Sequence, residues 1–294
     1  MNKEIDLKIA TLNLNGETFW SINRRPRLPQ DLFNIKEIKQ ALVDKIKDGL
    51  KNILNNDTYD IIAIQELVYI SDYYEAIKKV IEENGYQLII PENLGENTHF
   101  TVGFIFKDDE DEDIVIENNE LNEIPMNKII RCKFTKNGIS YVILNVHLTK
   151  HTEDIKNGLC YFLSQNNDNN NVIRILLGDF NAYNNKQKDE QKKDKVQNCN
   201  NAHFINDLMK NDFRKNYEST NKNYTFWASG WKKLDHIFIS GKNIDVKEID
   251  VEETVNNNVN FYPIENETEN AQNNNEGFTD HSMLTAIIRD NKPK

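Results

Sequence analysis

Six times along this chain an apolar run that reads as a β-strand begins or ends at a side chain able to do chemistry. A strand over residues 7–12 stops at Asn13 and Asn15, the run 59–65 at Glu66, the strand 140–146 at His147, and the run 172–177 at Asp179 and Asn181. Asp235 and His236 open the strand around 234–240, and Asp280 and His281 precede one over 283–288. Strand ends on one rim of a sheet lie close together, and loops on a rigid scaffold are where reactive groups are carried. A single Asn or Asp in such a place is an ordinary turn former. The repetition is what points to a site.

The rest of the pattern predicts a layered domain. Leu32, Ile35, Ile38, Leu42, Ile46, Leu50 and Ile53 recur in steps of three and four, one face of a helix running to about residue 54. Further helices are predicted over 73–83, 153–165 and around 202–210, and strands over 86–90, 101–106, 128–134, 224–227 and 244–251. The six consecutive acids at 108–113 repel one another and read as a solvated loop. The Asn-rich stretch 166–171, the polar excursion 186–197 and the Asn- and Glu-rich segment 256–276 read as loops. Many strands with few helices indicate an α/β or α+β layered fold, without the regular alternation of a doubly wound parallel sheet. No linker or internal repeat divides the chain, so residues 1–294 are expected to form a single domain.

Composition narrows the function. No stretch approaches the ~18–20 consecutive apolar residues of a membrane span, and residues 1–8 lack the apolar run of a signal peptide. The expectation is a cytoplasmic protein without stable membrane insertion and with no obligate protein partner. Cys132, Cys160 and Cys199 have no metal-ligand spacing and read as reduced thiols. The net charge of −11 argues against a clamp that holds nucleic acid only by neutralising phosphates. Carboxylates, amides and imidazoles without a cysteine cluster suit a hard divalent cation, Mg²⁺ or Mn²⁺ before Zn²⁺. Phosphodiester hydrolysis requires charge neutralised on the phosphoryl oxygens, an aligned water and a stabilised leaving oxygen. Glu66, Asp179, Asn181 and His281 supply suitable groups.

Leu-Asn-Leu-Asn-Gly (12–16), Ile-Gln-Glu (64–66), Asn-Val-His-Leu (145–148), Gly-Asp-Phe-Asn (178–181), Lys-Leu-Asp-His-Ile-Phe (233–238) and Thr-Asp-His-Ser (279–282) resemble, in order, the motifs of the endonuclease/exonuclease/phosphatase superfamily. These are the deoxyribonuclease I-like metal-dependent phosphodiesterases and phosphatases, and the resemblance spans residues 7–288. It implies a four-layer α/β sandwich of two mixed sheets flanked by helices. It also implies Mg²⁺-dependent hydrolysis of a phosphoester, with Glu66 as main metal ligand, Asn13 and Asp280 beside the metal, and Asn15 nearby orienting phosphate. Asp179 resembles the carboxylate that orients or deprotonates the attacking water, and Asn181 its phosphate-binding neighbour. His281 resembles the imidazole that contacts the scissile phosphate, with Asp235 fixing its tautomer. His147 resembles the second histidine of deoxyribonuclease I and the sphingomyelinases, placed to stabilise the phosphate or protonate the leaving oxygen. The family commonly carries Arg, a small apolar residue, Asp and Tyr where this chain has Lys233, Leu234, Asp235 and His236, so the resemblance assigns His236 no role.

The superfamily does not name the substrate. His147 matches deoxyribonuclease I, sphingomyelinases and deadenylases, whereas the stretch 224–227 with Trp227, followed by Trp231, looks like the aromatic stretch of abasic-site endonucleases. Those rings are able to stack on bases, and the alternative is that they pack beneath the site. Arg24, Arg25 and Arg27 form the one compact basic cluster near the rim, suited to gripping flanking phosphates. The leading expectation is a nuclease acting on DNA or RNA. The alternatives are a phospholipid or inositol phosphate hydrolase, and a non-catalytic binding module.

Overall fold

The computed structural model describes residues 6–16, 35–56, 59–108, 113–117, 121, 123–165, 172–182, 204–205, 207–208, 214–216, 234–241, 244–252, 281 and 283–290. The predicted elements at Arg24, Arg25, Arg27, Trp227, Trp231 and Asp280, the strand 224–227 and the loops 166–171, 186–197 and 256–276 lie outside these residues.

Strand β1 (Asp6–Asn13) shows how the sequence makes layers. Leu7 and Ile9 face one apolar cluster while Ala10 and Leu12 face another, the alternation of a strand buried on both sides. One sheet has the order β11 (Ile244–Glu252), β12 (Met283–Asp290), β1, β2 (Ile61–Val68), β4 (Phe100–Lys107), β3 (Tyr86–Ile89). The other has the order β5 (Val115–Glu117), β6 (Ile129–Lys136), β7 (Ile139–His147), β8 (Val172–Asp179), β10 (Asp235–Ser240), β9 (Arg214–Asn216). Both are mixed: β1 and β2 run parallel, as do β7 and β8, and the other described pairings are antiparallel.

The sheets pack face to face. Leu7, Ile9, Ile61 and Phe104 from the first meet Ile143, Ile175 and Ile237 from the second. Phe106 of β4 packs edge-on to Phe134 of β6 at 5.5 Å, and Phe134 stacks on Tyr141 of β7 at 5.0 Å. Outside the first sheet lie α1 (Ile35–Asn56) and α2 (Ser71–Glu83), which bury Val43, Ile46, Leu50, Ile53, Ile77 and Ile81 against it. Outside the second lies α3 (Glu153–Ser164), capped by the Thr152 hydroxyl accepting from the Ile155 amide at 3.2 Å and burying Ile155, Leu159, Phe162 and Leu163. The result is the expected four-layer α/β sandwich. No helix among the described residues is long and apolar enough to cross a membrane.

The two sheets follow one plan. Each has a central parallel pair, β1–β2 or β8–β7, and beside β1 and β8 an antiparallel strand, β12 or β10. Parallel strands end, and their antiparallel neighbours begin, on the same rim. That connectivity brings six strand termini together.

Candidate active site

Alternation along each strand decides which side chains enter the rim. On β7 the inward series Ile139, Tyr141 and Ile143 continues through Asn145 to His147; on β8 the series Ile173, Ile175 and Leu177 ends at Asp179; on β10 Ile237 and Ile239 share their face with Asp235. Register then sets His147, Asp179 and Asp235 side by side across three strands, and each is at most 2 % exposed. The apolar core between the sheets thus ends in a row of titratable groups.

The first sheet supplies Asn13 and Glu66. Glu66 would follow Ile62 and Ile64 toward the helices, but the β2–β4 register shifts between Ile64 and Leu67, and Glu66 has φ 53°. This bulge turns the carboxylate back to the rim. Gly16 packs against it: a β-carbon there would run into the Glu66 carbonyl oxygen.

The Asn13 amide bridges the two sheets, donating to Glu66 Oε1 at 3.1 Å and to Asp179 Oδ2 at 3.0 Å. His281 Nδ1 lies 2.9 Å from Asp235 Oδ2, a contact in which the imidazole donates and its Nε2 is left facing Asp179 Oδ2 at 3.9 Å. His147 Nε2 is 3.5 Å from Glu66 Oε1 and 4.0 Å from Asp179 Oδ2. Two turns of the same kind hold these groups. The Asn15 amide donates to Asn13 Oδ1 and the Asn181 amide to Asp179 Oδ1, both at 2.8 Å, with Asn15 and Asn181 left-handed at φ 57° and 47°. Asn181 also donates its side-chain amide to the Leu148 carbonyl at 3.0 Å.

Burial sets the electrostatics. Desolvation, reinforced by the neighbouring Asp235, raises the Asp179 pKa from 3.8 to about 7, against the opposing pull of His281 and of donors from Asn181 and Asn13. Desolvation, with Lys128 and His281 nearby, lowers the His147 pKa from 6.5 to about 3. His147 is therefore a neutral imidazole at physiological pH. Ligand atoms of Glu66, His147 and Asp179 lie within 4.8 Å of one another, as do those of Asp179, Asp235 and His281. Carboxylate oxygens gathered around an amide fit a hard divalent cation, and Glu66 and Asp179 are close enough to hold one together.

No protein-family model and no curated protein matches the sequence. Solved structures do match. The TDP2 of D. rerio complexed with a single-strand DNA product is similar with TM-score 0.59 at 13 % identity, over 97 % of this chain and 99 % of that one. An endonuclease/exonuclease/phosphatase from Bacteroides vulgatus gives TM-score 0.59 at 16 % identity, over 97 % and 99 %. The 3′ phosphatase NExo from Neisseria, bound to a product DNA hairpin, gives 0.56 at 16 % identity, over 95 % and 98 %. The chain has the endonuclease/exonuclease/phosphatase fold.

On that fold the structure brings together Asn13, Glu66, His147, Asp179, Asp235 and His281, with Asn15 and Asn181 in the turns beside them. Arg24, Arg25, Trp227, Trp231 and Asp280 fall outside the described residues. His236 points away: its Nε2 meets the Ala182 carbonyl at 2.9 Å and its ring packs with Phe180 and Phe238 in the outer core. Alternation from Asp235 already places it there.

Three polar residues of the region escaped the sequence reading. Asn145 donates to the Ile64 carbonyl at 2.9 Å and to the Gly103 carbonyl at 2.8 Å, spanning the bulge where the β2–β4 register shifts. Its Oδ1 accepts from Gln65 at 2.7 Å, and Gln65 also donates to Thr11 at 3.0 Å. These amides support the backbone that carries Glu66. Lys128, in the 3-10 turn Met126–Lys128, has its Nζ 3.5 Å from His147 Nδ1. The available signal for Asn145 was its position two residues before His147, on the same face.

Proposed function

We propose that this protein is a divalent-metal-dependent hydrolase of phosphodiester bonds acting on DNA or RNA. The observation that carries the reading is the convergence of Glu66, Asp179, Asp235, His147 and His281, from five strand ends of two sheets, in one buried cluster. Mg²⁺, or Mn²⁺ in its place, fits between Glu66 and Asp179, and bound there it supplies charge neutralisation on the phosphoryl oxygens. Asp179, held by Asn13 and by the Asn181 amide, orients the attacking water. His281, fixed through Nδ1 by Asp235, presents Nε2 to the scissile phosphate. Neutral His147, on the other sheet from His281, has Nε2 beside Glu66 and serves the phosphate and the leaving oxygen. In this reading Asn181 contacts the phosphate and Asn15 is a substrate neighbour, while Arg24, Arg25, Trp227, Trp231 and Asp280 remain the sequence's candidates for further substrate or metal contacts.

The fold's likeness to a TDP2 with single-strand DNA product and to a 3′ phosphatase with a DNA hairpin supports nucleic acid over a lipid head group. The test is a panel of plasmid DNA, single-stranded DNA, RNA, sphingomyelin and inositol phosphates, each with Mg²⁺ and with a chelator. Metal-dependent cleavage of a nucleic acid, abolished in Asp179→Ala and His281→Ala, is expected. Turnover confined to the lipid or inositol substrates would transfer the same chemistry to them, and turnover of none would remove the proposal.

A further inference from the structure

The inward faces of β7 and β8 make the rim, and their outward faces carry a second polar assembly. Register places Lys133 of β6, Val142 of β7 and Arg174 of β8 abreast, while Arg131 of β6 stands opposite Glu117 of β5. With Tyr161, Ser164 and Gln165 at the end of α3, these residues line a cavity of about 530 Å³. That volume lies within the ~300–1,000 Å³ of small-molecule sites. Arg174 is five residues from Asp179 along β8, roughly 17 Å at the usual rise per residue, and faces the opposite side of the sheet. The cavity is thus separate from the rim.

Its charge is unusual for a chain of net charge −11. Arg131, Lys133 and Arg174 face a single carboxylate, Glu117. Arg131 and Arg174 both approach the Phe162 ring, at 5.6 and 5.9 Å, close enough for their like charges to oppose each other. Arg174 is only 5 % exposed; its Nε donates to the Gln165 carbonyl at 2.7 Å, but its Nη1 is buried without a hydrogen-bond partner. Arg131 Nε is ion-paired with Glu117 Oε2 at 2.7 Å, which leaves the lining with an excess of two positive charges. A buried guanidinium with an unused donor costs free energy unless a partner meets it. Two guanidiniums and an ammonium around a cavity present the forked and point-charge donors that match a phosphate dianion.

We infer that this cavity is a second site, for a small phosphate-bearing anion held by Arg174, Arg131 and Lys133. Tyr161, 61 % exposed at its edge, offers a ring on which the base of a nucleotide can stack. Calorimetric titration of inorganic phosphate and of AMP, in a chelator at low ionic strength, tests this. One site per chain is expected. It persists in Glu66→Gln, is lost in Arg174→Gln, and weakens by about tenfold or more in Lys133→Glu, where an attractive charge becomes a repulsive one. Lys133 is exposed, so that variant keeps the test informative if Arg174→Gln fails to fold. Tighter binding of AMP than of phosphate identifies a nucleotide, and equal or weaker binding identifies free phosphate. No binding of either, or binding lost in Glu66→Gln and kept in Lys133→Glu, overturns the inference.

Discussion

Asn145 is the residue whose removal best separates support of the site from its chemistry. It meets two backbone carbonyls and one side-chain amide in a dry interior, and each buried polar group left unmatched costs about 1–3 kcal/mol. Asn145→Ala is expected to lower unfolding free energy in urea by about 3 kcal/mol or more, and to reduce turnover through the loosened Glu66 bulge. Titration supplies a second prediction. Because folding raises the Asp179 pKa from 3.8 to about 7, its stabilising contribution is full below about pH 4 and is lost as pH rises through 7 in metal-free protein. His147 acts oppositely: folding lowers its pKa from 6.5 to about 3, so stability present above pH 6.5 is lost as pH falls toward 3. The two effects oppose each other between pH 4 and pH 7, so urea unfolding in a chelator at these two pH values is expected to show stability changing more favourably with rising pH in Asp179→Asn than in wild type. An equal change would remove Asp179 as a contributor. The polar residues that meet at the rim were legible because such groups at the ends of apolar runs stand out; the bonds of Gln65 and Asn145 were not, because amides inside an apolar run carry no mark of what they bond.

At the scale of elements, the rim depends on close backbone approach at two glycines. Gly178 precedes Asp179, has φ 136°, and leaves no room for a β-carbon beside the Val146 carbonyl oxygen. Gly178→Ala is expected to cost about 3 kcal/mol through combined strain and overlap, and to displace Asp179 from His147, which denaturant titration alongside the cleavage assay would register. Unchanged stability would mean that the β7–β8 pairing adjusts without strain. Most strands and the amphipathic helices were readable from alternation and from steps of three and four. The edge strands β5 and β9 were not, since three residues carry no period, and neither was the Glu66 bulge, since its left-handed backbone has no glycine or asparagine to announce it.

For the whole molecule, one plan used in both sheets explains why a chain of net charge −11 gathers three buried carboxylates at a single rim. Asn13 pairs with Asp179, Glu66 with His147 and His281 with Asp235 as equivalent termini of the two sheets. A divalent cation bound there would relieve repulsion among the carboxylates, and a ligand that binds only the folded state raises stability by mass action. The layered fold and the existence of the rim were legible in sequence order; the pairing of its members across the sandwich needed the topology. The most direct measurement is the thermal midpoint of the full chain as Mg²⁺ or Mn²⁺ is added. Wild type is expected to gain about 5 °C at a metal concentration roughly 100-fold above Kd, and Glu66→Gln and Asp179→Asn to gain little or nothing. No shift in wild type with either metal, or an equal shift in the two variants, would contradict a metal centre at this rim.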